Sequence, residues 1–287
     1  MQLIILAAVW GSSFLFMRIA SPEFGPISLI SLRLFISAIA LFPFLLFRKE
    51  TAIVLANWPK FLWAGLNTTA IPFTLFSYVT LSLTAGNTSL LNGTVPMFSA
   101  IIAWFWLKEK LSVVGIIGLV MGFLGVFILA SPEGGDSKVL WFPVLAALVA
   151  SASYGYGSCF SRLHMQGFSS ITIASGTQFF AAIFMLPFGL FFWPETSPSM
   201  LSWLSVLSLG IVSTAFSLIF FFRLLQQIGV ANTVSVAYLI PVFGILWGYL
   251  FLDEVVTPGV LIGGVGIFIG IALTTNSAGK KGKKLEN

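Results

Sequence analysis

Two stretches decide how this chain folds: VPMFSAIIAWFWLKEK, Val95–Lys110, and IPVFGILWGYLFLDEV, Ile240–Val255. Each has proline at its second position and phenylalanine two residues on (Phe98, Phe243), then an apolar run ending on Leu-x-Glu at Glu109 and Glu254. An apolar helix that stops on a charged cluster is the pattern of a segment leaving a bilayer. Lysines flank Glu109, whereas Asp253 precedes Glu254.

Composition agrees with a membrane setting. Of 287 residues, 58% are hydrophobic and 8% charged, against about 25% charged in an average soluble domain. One cysteine, Cys159, excludes an internal disulfide and a multi-cysteine metal site, and one histidine, His164, leaves little room for histidine catalysis. No metal site and no cofactor is expected. The net charge of +5 does not point to nucleic acid, because Lys280, Lys281, Lys283 and Lys284 crowd into a short tail that reads as an anchor at lipid headgroups.

A bilayer core needs about twenty helical residues per crossing. Segments of that kind fall at 2–20, 26–47, 59–82, 86–107, 112–130, 139–161, 169–193, 201–224, 230–251 and 258–275. The fold class expected is therefore an all-α polytopic membrane protein of ten transmembrane helices. The first run lacks a basic leader and reads as a membrane helix rather than a signal peptide. With both termini cytoplasmic, the inner loops hold Arg48, Lys49, Lys60, Lys108, Lys110, Arg162 and Arg223, and the outer loops hold one basic residue, Lys138. Glu23, Glu133, Asp136, Glu195, Asp253 and Glu254 then lie outside, against Glu50, Glu109 and Glu286 inside.

Displaced by 144 to 145 positions, the chain matches itself. Gly11, Phe16, Arg18 and Pro43 fall on Gly155, Phe160, Arg162 and Pro187; Trp58, Gly65, Asn87, Pro96 and Glu109 fall on Trp203, Gly210, Asn232, Pro241 and Glu254. The repeats are 1–131 and 139–276, followed by a basic tail at 277–287. Five spans in each half make the second copy inverted relative to the first, the plan on which secondary transporters alternate access to a central site.

Trp10–Ala20 (WGSSFLFMRIA), SLRLF at 31–35, the two proline-to-glutamate blocks and the glycine-rich helices that follow them resemble the EamA-type repeat of the drug/metabolite transporter superfamily. The resemblance implies two inverted five-helix halves around a cavity, and movement of amino acids or other small metabolites across the plasma membrane. One departure is Arg33, which faces Thr177 in the second half and so is not duplicated.

Arg33 lies about 12 Å inside the second span and must find carbonyls, a carboxylate or water. It reads either as a counter-charge for a substrate carboxylate or as a side chain that snorkels outward or ties helix ends together. Polar stripes suggest a cavity lining: Trp10 and Ser13; Asn67, Thr74 and Tyr78; Asn92 with Thr88 and Ser99; Tyr154 and Ser158; and, more isolated, Gln178 and Tyr238. Helix-to-helix hydrogen bonding accounts for such groups equally well. Pro96 and Pro241 are expected to kink their helices as hinges. Gly118, Gly122, Gly263 and Gly270 read as close-packing positions, within the chain or in a homodimer.

No acidic residue falls mid-span, so a carboxylate proton relay is not visible. The expected function is a transporter of a small-molecule substrate, with membrane lipid as its other partner. A lipid or drug flippase also suits the aromatic interior. A membrane enzyme or assembly factor is weaker, since no nucleophile, base or metal cluster is present.

Overall fold

The computed structural model describes residues 1–131, 141–234 and 236–282 and holds helices without strands among them. Their order is α1 Gln2–Phe24, α2 Pro26–Phe47, α3 Thr51–Ala56, α4 Trp58–Gly65, a π segment (π1) Leu66–Ala70, α5 Ile71–Val79, α6 Ala85–Asn92, α7 Val95–Trp106 and α8 Val113–Ala130. The second part follows as α9 Trp141–His164, α10 Ser170–Phe191, α11 Met200–Leu207, a π segment (π2) Ser208–Phe216, α12 Ser217–Val234, α13 Val236–Leu252 and α14 Pro258–Gly282. Among the described residues eight helical stretches are long and apolar enough to cross a bilayer, and Val236–Leu252 is a shorter apolar helix. Lys138, Glu133, Asp136, Lys283 and Lys284 lie outside the described residues.

Helix starts follow local chemistry. Ser112 and Thr257, matched positions of the repeat, accept hydrogen bonds from the Gly115 and Val260 N–H groups at 3.2 and 3.4 Å. Such side-chain acceptors satisfy amides that a helix start leaves orphaned. Glu23 accepts from the Ser199 N–H and hydroxyl at the start of α11, tying the end of α1 to the other half.

The packing has a swapped character. α2 lies on α10 and α8 on α14, while α1 packs on α13 and α9 packs on α7 and α6. Gly118, Gly122, Gly263 and Gly270 are consumed inside the chain. A Cβ on Gly118 would lie 2.8 Å from Leu273 Cβ, and one on Gly125 would lie 2.6 Å from the Gly263 carbonyl. The glycine faces that could have served a homodimer are thus the α8–α14 seam. The opposite faces, with Val113, Ile117, Val120 and Leu124 on α8 and Leu261, Ile262 and Val265 on α14, are exposed and form an apolar surface suited to lipid.

Three expectations about spans change. Trp58–Val79 is helical throughout but interrupted by π1. The fourth span breaks at Gly93–Thr94, and Pro96 stands at the start of α7 rather than within a helix. There its missing N–H and fixed φ cost nothing, so it begins a helix instead of kinking one. Third, the break expected between 224 and 230 is absent, because α12 runs on to Val234. Pro241 does lie inside a helix, α13.

Gly125→Val is expected to cost about 1–3 kcal/mol by forcing α8 and α14 apart, read as a lower thermal midpoint of the purified protein. Val120→Ala, on the exposed face of α8, should stay within about 0.5 kcal/mol.

Candidate functional site

A cavity of about 590 Å³ lies between α1, α2, α5, α7, α9, α10, the π2–α12 stretch, α13 and α14. Glycines bring the helices close enough to enclose it. A Cβ on Gly155 would sit 2.8 Å from the Ser99 N, and one on the matched Gly11 would sit 2.6 Å from Phe243 Cβ. In this way the first helix of each half presses against the proline-bearing helix of the other.

Arg33 is the buried charged group of the lining, and Glu109 and Arg162 join it there as a more exposed ion pair. Arg33 is 3% exposed and lines the cavity, which rules out a side chain snorkelling outward. Its Nε donates to Thr214 Oγ1 at 2.9 Å, Nη1 stands 3.9 Å from Met17 Sδ, and the guanidinium carbon lies 3.9 Å above the Phe73 ring centroid. Arginine offers five donors in a planar fork. Among the described residues the ion pairs are Arg18–Glu254 and Arg162–Glu109, so this buried cation has no carboxylate partner there. Stacking on Phe73 and one hydroxyl hold it in place while leaving part of the fork toward the cavity.

π2 sets that geometry. Thr214 lies within it and its hydroxyl reaches the Leu209 carbonyl at 2.8 Å, five residues back. A π turn leaves carbonyls misaligned, and here side chains answer them. In π1 the Asn67 amide donates to the Trp63 carbonyl at 2.9 Å, Thr68 to Ala64 at 2.7 Å and Thr69 to Gly65 at 2.6 Å. The two π segments fall at matching places in the repeat, each adjoining or containing the paired glycines Gly65 and Gly210.

The other site candidates divide into two groups. Trp10, Ser13, Asn92, Tyr154, Ser158 and Gln178 line the cavity with Arg33. Trp10 Nε1 donates to Ser217 Oγ at 2.9 Å, and Gln178 Oε1 accepts from Ser37 at 3.2 Å, so both rings and amides are fixed by neighbours. Asn67, Thr74, Tyr78 and Tyr238 are not in the lining. Asn67 serves π1, Thr74 Oγ1 is buried without a partner, Tyr78 is 44% exposed, and Tyr238 bonds the hydroxyl of Thr275. For the three residues of the third span the physical reason is π1, whereas Tyr238, on α13, is turned to Thr275 of α14. One extra residue in a turn rotates everything beyond it by about 100°, so Asn67 no longer shares a face with Thr74 and Tyr78.

Thr214, Phe73 and Thr275 also line the cavity, and sequence reasoning passed over them. The group Ser213, Thr214 and Ser217 was the available signal for the first. Pro96 faces the cavity, whereas Pro241 does not. Even so, the residues four before them, Asn92 and Ala237, both line it, and proline at i+4 leaves such a carbonyl without its helical donor.

This is the architecture of a membrane carrier: a bundle of apolar helices around a polar-edged cavity. The chain belongs to the EamA-like transporter family, whose model matches residues 1–131 and 141–276. It is 29% identical to the uncharacterized transporter YoaV of Bacillus subtilis (strain 168), covering 95% of each chain. Identity is 24% to a probable terminal-alkyne amino-acid exporter of Streptantibioticus cattleyicolor, over 94% of this chain and 91% of that one. It is 23% to a probable amino-acid metabolite efflux pump of Escherichia coli (strain K12), over 93% and 91%. A crystal structure with 19% identity shares the fold, with a TM-score of 0.67 and coverage of 99% and 98%.

Thr214→Val keeps the shape of the side chain but strips Arg33 Nε of its acceptor. The expected cost is about 1–3 kcal/mol, measured as a fall in thermal midpoint, with Ser158→Ala at the cavity rim as the milder comparison.

Proposed function

We propose that this transporter exports small polar metabolites, amino acids foremost, by alternating access around the Arg33 cavity. The observation that carries this reading is a buried guanidinium that lines the cavity without a carboxylate partner among the described residues. A buried cation is costly unless paired, and a substrate carboxylate supplies the missing partner in a fork-to-fork geometry. The aromatic groups around it, Trp10, Phe73 and Tyr154 among them, suit the body of a small organic solute and give a cation–π surface to an ammonium. Relatives named as amino-acid exporters add weight to the substrate class. An uncharged drug or a lipid tail would leave Arg33 unanswered, which sets the flippase reading second.

The halves 1–131 and 139–276 are read as inverted repeats, with Trp58–Val79 and Val236–Leu252 completing ten spans. Matched π segments and the exchange of α1 and α9 across the halves support this. The lysine distribution supports a reading with both termini in the cytoplasm and the Glu109 end of the cavity on the same side. Pro241, inside α13, and the break at Gly93–Thr94 just ahead of Pro96 act as the hinge points in this scheme.

Counterflow in proteoliposomes across a panel of amino acids and other carboxylates tests the reading. At least one carboxylate solute should accumulate, and Arg33→Ala should abolish uptake, while Arg33→Lys, a point charge without the fork, should retain a fraction. Folded Arg33→Ala protein that still transports at the original rate would remove the arginine from the site. Pro96→Ala combined with Pro241→Ala should slow counterflow by about tenfold by stiffening both helices.

A further inference from the structure

The glutamates that close the two repeated blocks are built alike but hold different partners. After α7, Lys108 turns the chain at φ 58°, and the Glu109 N–H donates to the Ala103 carbonyl at 3.2 Å; after α13, Asp253 turns it at φ 52°, and the Glu254 N–H donates to Gly248 at 3.2 Å. Side chains other than glycine seldom occupy that left-handed region. Its use at both ends means that each carboxylate is aimed by the same device.

At the far end from the cavity, Glu254 sits on the start of α6. It accepts the Ala85 N–H at 2.8 Å and the Gly86 N–H at 3.3 Å, while Arg18 Nε stands 4.0 Å away and the Arg18 guanidinium also donates to the Thr80 carbonyl. An anion is favourable there, where orphan amides and the helix dipole converge. The matched carboxylate, Glu109, pairs instead with Arg162 at 2.7 Å, and both line the cavity, which does not reach Arg18 or Glu254. The positions that match Ala85 and Gly86 are Val230 and Ala231. Helix α12 passes through them unbroken, so their amides are spent inside a helix and offer no start to cap.

We propose that Arg18–Glu254 and Arg162–Glu109 are the two gate latches of this transporter, each glutamate closing its own end of the cavity by capping the fourth helix of the opposite half. Only one cap is formed at a time. In the opposite state Glu254 releases Ala85 and Gly86, the helix breaks ahead of Val230, and Glu109 takes the Val230 and Ala231 amides. Gly229 at that break makes the rupture inexpensive, since glycine is the weakest helix former after proline. The proposal rests on the alternating-access reading, and its test needs no solute, so the two can fail separately.

The chain carries its own reporter. Cys159, its one cysteine, lines the cavity, and the matched residue, Leu15, is 6% exposed and outside the lining. The full-length protein in liposomes permeable to the reagent is alkylated with a small maleimide. Glu254→Ala should slow labelling of Cys159 by about fivefold, the size expected for a lost cap, and should speed labelling of Leu15→Cys in a Cys159→Ser background. Glu109→Ala should leave Cys159 at least as reactive and Leu15→Cys no faster. Arg18→Gln, which weakens the same latch, carries the test if Glu254→Ala does not fold. General loosening would speed both reporters together; that result, or no change at either reporter, overturns the latches.

Discussion

Hydrocarbon offers no water to an unpaired backbone amide, and everything irregular in this chain follows from that constraint. A membrane helix can depart from α geometry only where a side chain answers the freed carbonyl or where the backbone borders a cavity. Both solutions occur here. Asn67, Thr68 and Thr69 answer the carbonyls of π1, and Thr214 and Ser217 answer those of π2. The break at Gly93–Thr94 lies beside the cavity, with Asn92, Gly93 and Pro96 in its wall. The site is therefore assembled from the places where the helical rule is relaxed.

The same constraint explains what the sequence made legible. Apolar segment length, the paired Pro-to-Glu blocks and the glycine stripes act at long range or by composition, so they survive without coordinates. Arg33 stood out because a charge deep in a span needs a reason. Side-chain direction was legible only as far as the 3.6-residue period held. Trp10 with Ser13 and Tyr154 with Ser158 lie on uninterrupted helices and do face one cavity. Thr74 and Tyr78 lie beyond π1, whose extra residue carried them off that face. A π segment leaves only a faint mark in sequence, here a cluster of Asn, Thr and Ser after a paired glycine.

Helix continuity at 217–234 was hidden for a different reason. The first half breaks between α5 and α6 at residues 80–84, and the repeat invites the same break near 225–229. Two copies of one plan need not adopt the same local state at the same moment. Indeed a carrier whose halves were truly equivalent in conformation would have both ends of its cavity alike and could not distinguish one side of a membrane from the other.

That difference narrows what sets the balance between states. With the turns at Lys108 and Asp253 equivalent, and each glutamate paired to a matched arginine, the proposed exchange of one latch for the other would conserve the kinds of interaction made. Two states built from the same kinds of bond differ by little energy, which is what lets binding of a small solute shift them. The bias must then come from positions where the halves diverge. Thr84 caps α6 through its own hydroxyl at 3.0 Å, whereas the matched Gly229 has no side chain to do so. Arg33 faces Thr177 in the repeat, so the buried charge of the cavity wall belongs to one half alone. Under the proposed mechanism the repeat would supply the two states, and these unmatched residues would bias the choice between them.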